Sequence, residues 1–116
     1  MIKIKRVYSK PNNNIDGIRI LVDRLWPRGV SKERASLDLW MKEIAPSDAL
    51  RKWFNHDSAK WDEFQLRYRE ELLEKKDLIA ELKRIEKENK SVTLLYSAKD
   101  KEHNQAVALL KILEQH

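Results

Sequence analysis

Ile2 and Ile4 alternate with Lys3 and Lys5 before Val7 and Tyr8, a two-residue period that predicts a strand with one polar face. Ser9 to Gly17 then gathers Pro11, three successive asparagines, Asp16 and Gly17, residues that favour turns, and is expected to be a loop. From Ile18 to Asp23 the apolar positions fall on both faces, with Ile18, Ile20 and Val22 on one side and Leu21 on the other. A strand covered from two sides lies inside a sheet. Pro27 and Gly29 end it, a short helical turn from Ser31 follows, and Leu37 to Met41 fits strand and helix equally.

The second half changes period. Ser47 is a predicted N-cap for a short helix through Phe54, and Ser58 opens a longer one in which Trp61, Phe64, Tyr68 and Leu72 recur at three- and four-residue steps. Glu63 with Arg67, and Glu71 with Lys75, are favourable pairs four apart on its outer side. Asp77 is expected to cap a further helix that aligns Leu78, Ile79, Leu82 and Ile85 and ends near Asn89. Val92 to Tyr96 is a short apolar run of strand length. Asp100 is expected to open a last helix carrying His103, Ala106, Val107, Leu110 and Leu113 inward.

Strands separated by helices predict an α/β fold: one domain over residues 1–116, a small three-layer sandwich of three to four mostly parallel strands with helices on the faces. No repeat, low-complexity tract or linker divides the chain.

Composition narrows the chemistry. The 116 residues include no cysteine, which removes disulfides, thiolate metal sites and thiol nucleophiles, and a reducing compartment is compatible with that. No segment approaches the about 20 apolar residues of a membrane span, and Met1 to Arg6 carries no signal-peptide core, so a soluble cytoplasmic protein is expected. The net charge of +5 is uneven: before residue 35 stand 9 Lys/Arg against 3 Asp/Glu. Such a surface attracts anions.

Parallel sheets gather ligands at the carboxyl ends of their strands. There the second strand would deliver Asp23 to Gly29 and the last strand Tyr96 to Lys99. Arg24 and Arg28 bracket a loop stiffened by Pro27, suited to a phosphate or carboxylate, or else to internal pairing with Asp23, Asp38 or Glu43. Trp26 between them offers an aromatic surface, and Tyr96, Ser97 and Lys99 would add two hydroxyls and a cation. Asp23 is the candidate acid or base, with the neighbouring arginines expected to hold it ionised, and His103 is the second catalytic candidate. His56, His103 and His116 are too far apart to form a metal motif. With two glycines in all, the chain has no dinucleotide or P-loop signature, and no cofactor is expected.

The expectation is therefore a pocket for a small anionic ligand formed by Asp23, Arg24, Trp26, Arg28, Tyr96, Ser97 and Lys99, with hydrolytic or transfer chemistry an open extension. A second reading is a nucleic-acid-binding or regulatory module using the basic first third and the Arg51-Lys52-Trp53-Phe54 patch.

Three blocks carry a resemblance: Leu21-Val22-Asp23-Arg24-Leu25-Trp26-Pro27-Arg28-Gly29; Ile44-Ala45-Pro46-Ser47 with Leu50-Arg51-Lys52-Trp53-Phe54; and Leu94-Leu95-Tyr96-Ser97-Ala98-Lys99. Together they resemble the YeaO-like branch of domain-of-unknown-function family 488, over essentially the whole chain. The resemblance implies a compact α/β sandwich and no settled activity. Many relatives outside this branch carry a cysteine near the start of the final helix in a Cys-His-Arg-like stretch. Here that region reads Glu102-His103-Asn104-Gln105, in which a histidine alone corresponds.

Overall fold

A sheet of four parallel strands carries the fold in a computed structural model that describes residues 1–115. The strands are β1 (Ile2–Arg6), β2 (Ile18–Leu21), β3 (Leu39–Trp40) and β4 (Val92–Tyr96), in the order β1-β4-β2-β3. The last strand in sequence is thus inserted between the first two. Its five residues are all buried, as a short apolar run flanked on both edges requires. Within the segment Leu37 to Met41, Leu39 and Trp40 form strand, paired with Ile20 and Leu21.

Register separates the two faces. Ile4, Leu94 and Ile20 lie side by side across the sheet, as do Ile2, Val92 and Ile18. These residues pack in the larger core with α3 (Asp48–Phe54), α4 (Trp61–Leu73), α5 (Lys76–Glu88) and α6 (Gln105–Glu114). On the opposite face Leu21 and Leu95 join Val7 and Ala35 in a smaller cluster, completed by Trp26, Val30, Leu37 and Trp40. That side carries α2 (Lys32–Ala35), and the polar row Lys3–Thr93–Arg19 receives α1 (Asn13–Asp16), a helical turn inside the expected loop. Lys3 donates to the Ile15 carbonyl and Thr93 Oγ1 to that of Asp16 at 2.6 Å.

Ser47 caps α3 as expected and Ser31 caps α2, each hydroxyl accepting a backbone N–H three residues on. Other helix starts are displaced. A 3-10 turn over Ser58–Lys60, capped by Asp57, precedes α4. Asp77 lies in the first turn of α5 rather than at its cap. The last helix is capped by Asn104, whose side chain accepts the Val107 N–H, while Asp100 organises the preceding turn. Its buried face is accordingly Ala106, Ala108, Leu109, Ile112 and Leu113, and Val107 and Leu110 are half-buried. Glu63 and Arg67 pair at 2.9 Å. Glu71 and Lys75 serve separately: Glu71 accepts from the Ser47 N–H and hydroxyl, and Lys75 donates to the Ala45 carbonyl. Among the described residues no helix is long and apolar enough to cross a membrane.

Candidate functional site

All four strands end on one side of the molecule, since all run parallel. Beyond those ends lies a cleft of about 570 Å³, walled by the loop from Asp23 to Arg28, the end of α3, and the turn that leads from β4 into α6. Asp23, Arg24, Trp26, Arg28, Ser97 and His103 all line it.

Asp23 joins the loops. It is 7% exposed, and one carboxylate oxygen accepts the Ser97 N–H at 2.9 Å while the other accepts the Gln105 side-chain amide. The expected arginine clamp is absent: Arg24 points instead at backbone, donating through Nε to the Pro46 carbonyl at 2.9 Å and through Nη2 to that of Ala45 at 3.2 Å. Burial pushes the Asp23 carboxyl up, and its hydrogen bonds from Ser97 and Gln105 offset part of that. With both oxygens engaged, Asp23 ties the Ser97 turn and α6 to the end of β2.

Asp23→Ala removes the acceptor for two inward-pointing donors and is expected to cost about 2–3 kcal/mol. Asp23→Asn should cost less than half of that, because a rotated Gln105 amide can accept from the new one. The raised carboxyl also sets a sign. Its contribution is fully present below the ordinary value of 3.8 and is lost as pH rises through the raised one. Wild type should therefore lose stability relative to Asp23→Asn on that rise, as urea titrations at several pH values would measure.

Arg24 and Arg28 differ, and neither makes the internal carboxylate pairing that was one of the two roles foreseen for them. Arg24 fastens the Ala45–Pro46 turn, and neither residue is paired with Asp23, Asp38 or Glu43. Arg28 is exposed on the cleft; its backbone carbonyl accepts the Tyr8 hydroxyl at 2.9 Å while its guanidinium has no hydrogen-bond or ion-pair partner among the described residues. Trp26 is half-buried, held by its N–H to the Val30 carbonyl at 2.7 Å and edge-on to Trp40 at 5.4 Å.

Tyr96 and Lys99 do not line the cleft. Strand alternation turns Tyr96 into the larger core, where it is 3% exposed and burial pushes its phenol up. Lys99 is exposed. His103 sits just before α6 rather than within it. Its Nδ1 lies 2.9 Å from Asp100 Oδ2 and its ring is edge-on to Trp61 at 5.3 Å, an orientation set by two neighbours.

The cleft also recruits residues that were not foreseen as partners of these loops. Arg51, Lys52, Asn55 and His56 come from the end of α3, and Gln105 from the start of α6. Asn55 and His56 have φ of 44° and 57°, two successive left-handed residues that turn the chain sharply after α3. Asn55 is the helix C-cap, a place where asparagine tolerates this conformation. Arg51 and Lys52 were legible as a basic pair, but only the packing of α3 carries them here. Among the described residues Asp23 is the single acid of the lining, against Arg24, Arg28, Arg51 and Lys52. No group of three or more His, Asp or Glu suited to a metal occurs among the described residues, and His116 lies outside them.

A family model described as the inactive DUF488-N3 subclade matches residues 1–116. The uncharacterized protein YeaO of Escherichia coli is 45% identical over 108 residues, covering 93% of this chain and 92% of that protein. The uncharacterized protein Rv3073c of Mycobacterium tuberculosis is 42% identical over 84 residues, covering 72% of this chain and 70% of that protein. No solved structure matches the chain significantly.

Proposed function

The chain belongs to the domain-of-unknown-function 488 family, in its inactive N3 subclade, and from that premise we propose that the cleft binds a small anionic ligand rather than turning one over. The observation that carries this reading is the charge of the lining: four cationic side chains against one carboxylate whose oxygens are both occupied. An anion entering here meets Arg28, Arg51 and Lys52 without displacing a buried ion pair.

Catalysis has less to stand on. The turn Glu102–Asn104, where the resemblance places a cysteine in relatives outside this branch, brings His103 and Asn104 to the cleft and no thiol. His103 is turned toward Asp100, and Asp23 is committed to Ser97 and Gln105. In the Arg51–Phe54 patch of the nucleic-acid reading the aromatic rings are covered: Trp53 has Arg67 over its ring at 4.2 Å and Lys60 at 5.1 Å, and Phe54 is buried.

Thermal unfolding in phosphate, sugar phosphates and nucleotides tests the proposal. A ligand at about ten times its Kd should raise the wild-type Tm by roughly 5 °C or more, and Arg28→Ala should lose most of that rise without a lower starting Tm. Absence of any ligand-dependent rise in wild type would overturn the reading. A response to short RNA that collapses with salt would favour the nucleic-acid alternative instead.

A further inference from the structure

Resting on the anion-site reading, we infer that the ligand of this cleft carries an apolar ring on its anionic head group, as an aryl phosphate or aryl carboxylate does. The cations answer only for the head. The same cleft exposes Leu25, 56% accessible, and Tyr8, 43% accessible, two of the large hydrophobic residues that the fold leaves in water. Pro27, Phe54 and Phe64 extend that apolar lining inward, and Phe54 and Phe64 stack at 4.3 Å.

Both exposed residues are held where they are. The Tyr8 hydroxyl donates to the Arg28 carbonyl at 2.9 Å and Arg6 lies over its ring at 4.9 Å, so the aromatic wall and the cationic loop are fastened together. Leu25 lies between Arg24, anchored on Ala45 and Pro46, and Trp26, anchored on Val30. A bare oxyanion would occupy a small part of about 570 Å³ and leave these walls wet. A ring attached to the head group covers them, and apolar area removed from water adds affinity that charge alone cannot supply.

Calorimetric titration of the wild-type chain with methyl phosphate and phenyl phosphate separates the two contributions, since both present the same monoester head. Phenyl phosphate should bind at least about tenfold more tightly. Leu25→Ser, a change at an exposed position, should remove most of that difference while leaving methyl phosphate unchanged. Arg28→Ala should weaken both compounds. Equal affinity of wild type for the two esters, or a difference that survives Leu25→Ser, would overturn the inference and leave the anion site in place. If neither ester binds, the anion site and the ring preference both fall.

Discussion

Gly17→Ala is expected to destabilise the fold by about 3 kcal/mol or more, because strain at a glycine-only conformation adds to a clash with fixed backbone. Gly17 ends α1 at φ 64° and ψ −136°, a region that residues with a Cβ rarely enter. A Cβ there would run into the carbonyl of Ser91, which is not free to retreat: it accepts the Ile18 N–H at 3.0 Å and leads directly into β4. The Asp16 carbonyl just before it is held by Thr93. Gly29 is the internal comparison. It too has positive φ, at 77°, but nothing lies within 4 Å of its prospective Cβ, so Gly29→Ala should cost only about 1–2 kcal/mol of left-handed strain. Urea unfolding of the two variants side by side measures the contrast; equal losses would show that Ser91 yields.

Arg19→Met is expected to cost about 3–5 kcal/mol, the range for breaking a buried charge pair from one side. Arg19 is 1% exposed, pointing from β2 into the space between α1 and α2. Its guanidinium pairs with Asp16 at 2.5 Å and donates to the carbonyls of Ala35 and Ser36. Removing it leaves those carbonyls short of a donor and Asp16 with Lys5, at 3.2 Å, as its remaining cation. The double variant Asp16→Asn/Arg19→Met should be less damaged than the sum of its two single changes, because the uncompensated carboxylate is then gone.

The same pair sets the acid limit of this region. Burial alone would raise the Asp16 carboxyl, but hydrogen bonds from the Asn12 N–H, Lys5 and Arg19 outweigh it and hold the group below 3.8. A carboxyl lowered in the folded state contributes stability that is present above its unfolded value and lost as pH falls through the folded one. Wild type should therefore lose this contribution below about pH 3.8, and Arg19→Met should show a shallower acid loss. Denaturant titrations between pH 7 and pH 3 would measure both slopes.

Arg19 also marks where one-dimensional reading stops. Period two correctly separates Ile18, Ile20 and Val22 from Leu21, and Leu21 predicts that its side is covered too, yet nothing in the period says which elements cover it or that Arg19 is buried beneath them. Closure comes from α1 and α2, two four-residue helices that owe their positions to Asp16, Ser31 and the polar row beneath α1. The start of α6 is a similar case. Asp100 and Asn104 are both good caps, and both accept backbone N–H groups. Which of them begins the helix depends on how far the chain must travel from β4 before it can turn back over the sheet.

The α/β class, the strand Val92–Tyr96, the helical turn from Ser31, the cap at Ser47 and the apolar face of α4 were determined by the sequence itself. Each rests on a local cause: alternation, helical spacing, or a hydroxyl within reach of an N–H three residues away. The cleft was decided by the tertiary structure. Insertion of β4 between β1 and β2 sets Ser97 against Asp23, 74 residues apart in sequence, and packing of α3 adds Arg51, Lys52 and His56. It also withdraws Tyr96, because the helices packed on that face of β4 enclose its side chain in the larger core. Charge and polarity name the residues able to meet an anion, but their convergence is a long-range property of how the strands are ordered.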